Sequence, residues 1–152
     1  MTAPAKPTPG TGPLVDHPAL RIDPALPGSI VEVVAWPGEE GTVAAAIGRA
    51  LGVTPPDGPG AMSGGEPIRV MMLARRRWLI EQPEEDPLPA RLHGAVGHEA
   101  GAVFDHSAAR AVFVIDGPRA PALAGKLVPV DFDCPRHGPG SVVQTGAAHQ
   151  LS

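Results

Sequence analysis

The sequence predicts an α+β domain whose core has the split β-α-β, or ferredoxin-like, arrangement. Runs of β-branched residues alternate with stretches in which apolar residues recur every four positions, in the order strand, helix, strand, strand, helix, strand. The chain has 152 residues, which is long enough for one domain with its own core. This order of elements places two helices on one face of an antiparallel sheet.

Each element follows from a local pattern. Val43, Ile47 and Leu51 lie four residues apart, as do Leu88 and Leu92, and this spacing is typical of a helix with one apolar stripe. The predicted strands are residues 30–36, 68–73, 78–81, 102–104 and 111–115, and the predicted helices are residues 42–51, 88–96 and about 118–126. Residues 54–66 are predicted to form a long loop, and residues 128–132 could be extended.

The two ends of the chain are predicted to lie outside the domain. Residues 1–28 contain seven prolines, which exclude a helix or a central strand. We expect a flexible Pro-rich arm there, with an extended segment that lies on a partner as the alternative. The single domain is then expected over residues 29–145, followed by a tail over residues 146–152.

Composition limits the classes of function. The formal net charge is −4, and the one basic run, Arg75 to Arg77, is predicted to be a solvated turn, so nucleic-acid binding is not expected. Cys134 is the only cysteine, which fits a reducing compartment. No apolar run reaches about 18 residues and the start lacks a signal-peptide pattern, so we expect a cytoplasmic protein that does not contact a membrane.

Two groups of residues have the chemistry of a site but not its spacing. Asp105, His106 and Ser107 are the residue types of a hydrolase triad, yet adjacent residues of an extended stretch point to opposite faces, which favours a strand-end turn with local hydrogen bonds. Cys134 and His137 have the spacing of half a metal site, without a second paired motif.

The glycine-rich and acidic segments give no stronger signal. The glycines between residues 58 and 65 precede a strand, which does not match a phosphate-binding loop. Residues 117–120 open a helix and could hold an anion, but a tight turn with a solvated Arg119 is favoured, so these residues are expected to serve the fold. The acidic runs at residues 39–40 and 84–86 show no sign of burial. We therefore predict no catalytic, cofactor-binding or metal-binding residue on this chain.

The second half of the chain resembles a known family. An aspartate and a serine precede a strand, a Gly-Pro-Arg-Ala helix start follows, and further motifs then occur in the same order as in the gamma subunit of heterotetrameric sarcosine oxidases. The matching positions are Asp105, Ser107, Gly117 to Ala120, Val130, Asp131, Pro135, Arg136, Pro139 to Ser141, Gln144 and Thr145. The resemblance covers residues 30–145, and residues 73–80 look like that family's hairpin with a tryptophan.

The resemblance implies both a fold and a role. The fold would be similar to the folate-binding domain of aminomethyltransferases. The chain would be a non-catalytic accessory subunit that packs against alpha, beta and delta subunits in a complex for sarcosine catabolism. FAD, FMN, NAD and tetrahydrofolate would be held by those partner subunits and not by this chain. A stand-alone folate-binding or aminomethyl-transfer domain is one alternative, and an unrelated interaction domain is another.

Two departures from the family lead to further expectations. Residues 74–77 read Ala-Arg-Arg-Arg where the family commonly has Gly-Pro-Asp-Glu, and the family continues beyond the Gln-Thr segment whereas this chain ends at Ser152. A shortened C-terminus would leave apolar surface uncovered around residues 111–115 and 128–132. We therefore expect a chain that is marginally stable alone and more stable in its complex.

Overall fold

The computed structural model describes residues 12–25, 28–82 and 87–145. The strands are β1 (Val15–His17), β2 (Leu20–Ala25), β3 (Ser29–Ala35), β4 (Met62–Gly64), β5 (Arg69–Ala74), β6 (Arg77–Gln82), β7 (Gly101–Asp105) and β8 (Val112–Asp116). The helices are α1 (Glu40–Leu51), α2 (Leu88–Val96) and α3 (Ala120–Leu127), followed by a 3₁₀ turn at Pro135–His137. The eight strands form two antiparallel sheets.

The larger sheet has five strands in the order β4-β5-β6-β3-β7, all paired antiparallel. In each β-α-β unit, β3-α1-β5 and β6-α2-β7, the two flanking strands run in the same direction and one other strand lies between them. This is the split order that the sequence predicts. The predicted helices at residues 42–51 and 88–96 are present, while the short strand β4 falls inside a predicted loop.

A single apolar core lies between this sheet and the helices α1 and α2. Alternate residues of β6 point inward, so that Trp78 and Ile80 are buried, and α1 and α2 contribute Ile47 and Leu92. All buried apolar residues of the described chain lie between Ile30 and Val103. We call the described residues 28–105 the core layer.

The smaller sheet, β1-β2-β8, is formed by the two stretches of chain that flank the core layer. Residues 15–25 were predicted to belong to a flexible arm, and this is wrong, because β2 pairs with β8 over five residues. The prolines did not prevent this: Pro24 lies beyond Ile22, the last residue of β2 that pairs with β1, and a residue without an N–H is tolerated where a strand has a neighbour on one side only. Residues 1–11 of the predicted arm lie outside the described residues.

The chain after α3 returns to the core layer. Residues 128–132, which the sequence suggested could be extended, form no strand, although Val128 has extended backbone angles. Ser141 instead forms an isolated bridge with Ala61, and the Val142 N–H donates to the Gly60 carbonyl at 2.7 Å. We call residues 12–25 and 106–145 together the open layer, because no residue in it is buried.

Candidate functional site

The Asp105-His106-Ser107 group forms a local turn, as the sequence favours. The Ser107 hydroxyl donates to Asp105 Oδ1 at 2.5 Å, and it accepts a hydrogen bond from the Ile30 N–H at 3.0 Å. The His106 ring faces away from this pair and contacts Glu32 at 3.2 Å. The serine therefore has no histidine base, and the group ties the end of β7 to β3.

A buried carboxylate is the main polar feature that the sequence analysis missed. Glu32 lies in the middle of β3 with a side chain only 8% exposed. Its Oε1 accepts hydrogen bonds from the Arg77 guanidinium, at 2.7 Å from Nε and 2.6 Å from Nη2. Its Oε2 faces His106 Nε2 at 3.2 Å and Arg110 Nη2 at 4.0 Å. The negative charge is thus compensated by cationic groups of this same chain.

Arg77 explains why one charged residue sits in an otherwise apolar strand. The basic run at residues 75–77 was predicted to be a solvated turn, and Arg75 and Arg76 do form the turn between β5 and β6. Arg77 is the first residue of β6 and lies beside β3, where it reaches Glu32. The acid within the valine-rich stretch was the signal that could have indicated this partner, since a buried charge needs one.

Cys134 and His137, which have the spacing of half a metal site, are engaged in backbone contacts. The His137 N–H donates to the Cys134 carbonyl at 2.8 Å, and His137 Nδ1 lies 2.6 Å from the Asp131 carbonyl. Across the described ranges, no group of three or more His, Cys, Asp and Glu side chains is placed to hold a metal ion. In the same part of the chain, no helix is long and apolar enough to cross a membrane.

Residues 117–120 contact the turn between β1 and β2. Gly117 has φ +107°, and a Cβ atom there would lie 2.8 Å from the Ala19 carbonyl oxygen, so only glycine fits. The Arg119 N–H donates to the same oxygen at 3.0 Å, which ties the start of α3 to the turn between β1 and β2. Of the acidic runs, Glu39 and Glu40 lie at the start of α1, and residues 84–86 lie outside the described residues.

The open layer carries much of the exposed apolar surface. Phe113 and Val114 of β8 are 51% and 53% exposed, and Leu127 at the end of α3 is 47% exposed. Phe132 is 38% exposed. The surface predicted around residues 111–115 and 128–132 is therefore apolar and accessible. Phe113 and Val114 are consecutive residues on opposite faces of β8, so the exposed apolar surface is not confined to one face of the sheet.

A groove lies between one face of the small sheet and α3. Its volume is about 390 Å³, and it is lined by Val15, His17, Leu20, Arg119, Ala122, Leu123 and Lys126. The other face of the sheet carries charged residues beside Val114, with Arg21 held by Asp23 at 2.6 Å and lying 3.6 Å from Asp16. The hydrogen bond and the charge of Asp23 raise the pKa of Arg21.

These features define a class: an α+β protein whose buried carboxylate is paired with its own Arg77 and whose open layer exposes apolar side chains. Comparison with known proteins then identifies its relatives. The chain is 35% identical over 120 residues to the sarcosine oxidase subunit gamma of Corynebacterium sp. (strain P-1) and to that of Arthrobacter sp.. The alignment covers 78% of this chain and 58% of each relative.

Further comparisons agree with these. The sarcosine oxidase subunit gamma of Corynebacterium sp. (strain U-96) is 33% identical over 116 residues, 76% of this chain and 56% of that protein. A chain of the heterotetrameric sarcosine oxidase from Corynebacterium sp. U-96, solved in complex with pyrrole 2-carboxylate, superposes with a TM-score of 0.73 at 29% identity. That match covers 90% of this chain and 69% of the other. No family model matches the chain.

The chain is therefore a relative of the sarcosine oxidase gamma subunits, and the resemblance predicted from its sequence is confirmed. It spans just over half the length of the curated relatives that it matches.

Proposed function

We propose that this chain is a non-catalytic accessory subunit of a heterotetrameric sarcosine oxidase-like flavoenzyme complex. The observation that carries the proposal is the open layer, which contains three strands and a helix without one buried residue, while gamma-subunit relatives match most of the chain. A layer that exposes Phe113, Val114 and Leu127 gains stability if a partner covers it.

The partners in this proposal are alpha, beta and delta subunits. FAD, FMN, NAD and tetrahydrofolate are assigned to those subunits, and the oxidation of the N-methyl amine takes place there. This chain contributes packing surface. Because Cys134 is its single cysteine, we place the complex in the reducing cytoplasm.

The proposal includes kinship with the folate-binding domain of aminomethyltransferases, which the split strand order supports. A stand-alone folate binder on this fold would need a buried carboxylate that is available to the pteridine. Glu32 is the buried carboxylate of the described residues, and it is engaged by Arg77 and His106. This arrangement favours a subunit over a folate-binding enzyme.

The test is co-expression of the full chain with the alpha, beta and delta subunits of its source organism, followed by size-exclusion chromatography. We expect co-elution, and we expect the chain purified alone to show no flavin absorbance and no sarcosine oxidation. Partner binding should also raise the free energy of unfolding, by about 2.7 kcal/mol at a partner concentration one hundred times Kd. A chain that elutes alone from the mixture, or that oxidises sarcosine by itself, would refute the proposal.

A further inference from the structure

The groove between the small sheet and α3 is lined by aliphatic residues and by polar side chains that are all basic. Val15, Leu20, Ala122 and Leu123 provide aliphatic surface, whereas His17, Arg119 and Lys126 provide the polar groups. No carboxylate is among the lining residues, although the protein as a whole has a net charge of −4. The groove is thus locally basic on an acidic protein, which is a sign of selectivity for an acidic ligand.

The α3 side of the groove is one regular helical face. Arg119, Ala122, Leu123 and Lys126 follow the spacing i, i+3, i+4, i+7, which places them in a single stripe. The other side of the helix, with Ala120 and Ala124, lies instead towards Ile115 and Phe132. Arg119 at the start of the helix, Lys126 and Leu123 therefore face the groove together.

The cations of the groove are available for a ligand. Among the residues that the structure describes, Arg119 and Lys126 make no ion pair. The carboxylates of the small sheet point the other way, because Asp16 and Asp116 pair with Arg21 of β2, whose side chain alternates with the groove-lining Leu20. His17 accepts a hydrogen bond from the Ala19 N–H on Nδ1 at 3.1 Å, which leaves Nε2 as the atom that can donate.

We propose that this groove is the docking site for an apolar segment of a partner subunit that carries one or two carboxylates. The apolar side chains of the segment would cover Leu20 and Leu123, and its carboxylates would pair with Arg119 and Lys126. Leu127, 47% exposed, lies one turn beyond Leu123 on α3 and extends the apolar surface beyond the groove, which suits a peptide segment better than a small molecule. The inference rests on the proposed function and assigns a surface to it.

The experiment compares two double charge reversals in the full chain. Arg119→Glu with Lys126→Glu changes the groove. Arg49→Glu with Arg75→Glu is the matched control, since it changes the net charge by the same amount on the core layer, and Arg49 lies in the last turn of α1 as Lys126 does in α3. Binding to the co-expressed partner subunits is measured by titration at two salt concentrations.

We expect the groove variant to bind at least about thirtyfold more weakly, and the control to bind within about threefold of the unmodified chain. Binding by the unmodified chain should weaken as salt rises, and this dependence should shrink in the groove variant. Should the groove variant prove unfolded by circular dichroism, Arg119→Gln with Lys126→Gln replaces it, with an expected loss of about fivefold.

The outcomes separate this inference from the proposed function. If the unmodified chain binds the partners and the groove variants bind equally well, the groove is not the docking site although the subunit role stands. If the unmodified chain does not bind at all, the subunit role itself fails. A homodimer that only the groove substitutions abolish would identify a second copy of this chain as the occupant and would overturn the inference.

Discussion

The core layer and the open layer contain the same kinds of elements but bury them very differently. In the core layer, α1 has Val43, Ala46 and Ile47 buried against the five-stranded sheet. In the open layer, α3 is at least as apolar in composition, with the sequence Ala-Pro-Ala-Leu-Ala-Gly-Lys-Leu, yet none of its residues is buried. An apolar helix is therefore not evidence of a core by itself, because burial depends on what packs against it.

The two layers differ in burial because different numbers of helices cover their sheets. The five-stranded sheet has two helices side by side on one face, which closes a cluster of fifteen buried residues. The three-stranded sheet has one short helix beside it, separated by a groove. Apolar surface stabilises a fold in proportion to the area removed from water. We therefore expect the core layer to contribute most of the free energy of unfolding of the isolated chain, and the open layer to be stabilised by a partner.

A pair of leucine substitutions gives the largest expected contrast. Leu92→Ala removes a fully buried side chain from α2 and should lower the free energy of unfolding by about 2–5 kcal/mol. Leu127→Ala makes the same chemical change on α3, where the side chain is 47% exposed, and should cost less than about 0.5 kcal/mol in the isolated chain. Urea unfolding of both variants measures this. Equal losses would mean that the open layer has a core of its own.

The ion pair at Glu32 gives a smaller effect within the core layer. Arg77→Ala leaves the buried Glu32 carboxylate without its two closest donors and should cost about 1–2 kcal/mol, a figure reduced because Arg77 is partly exposed to solvent. Arg75→Ala, in the adjoining turn, is the control and should change the free energy of unfolding by less than about 0.5 kcal/mol. An unchanged urea midpoint for Arg77→Ala would show that His106 and Arg110 compensate the carboxylate without it.

The smallest expected effect concerns the contact between Gly117 and the turn that links β1 to β2 in the open layer. Gly117→Ala puts a methyl group 2.8 Å from the Ala19 carbonyl at a φ of +107°, and it should lower the local opening free energy of β2 and β8 by about 1 kcal/mol. Gly125→Ala in α3 meets nothing within 4 Å and should not destabilise the layer. Amide hydrogen exchange measures the opening free energy of β2 and β8 in both variants. Faster exchange spreading into β3 and β6 would contradict the idea that the two layers differ in stability.

The sequence by itself determined the elements whose pattern is local. The helix predicted over residues 88–96 coincides with α2, that over residues 42–51 lies within α1, and the strands of the β-α-β-β-α-β order are present with shifts of one residue or so. These succeed because apolar spacing along one element depends only on the geometry of that element. The resemblance of residues 103–145 to the gamma subunits likewise needed no coordinates.

Only the tertiary structure decided the features that join distant parts of the chain. The proline-rich start forms β1 and β2 because β8, about ninety residues later, supplies the pairing partner, and no local pattern contains that information. Arg77 reaches Glu32 because β6 pairs with β3 in one particular register. The groove lined by His17, Arg119 and Lys126 also depends on the tertiary structure. Its residues come from two stretches that are about one hundred positions apart in the sequence, so only the packing of those stretches brings them together.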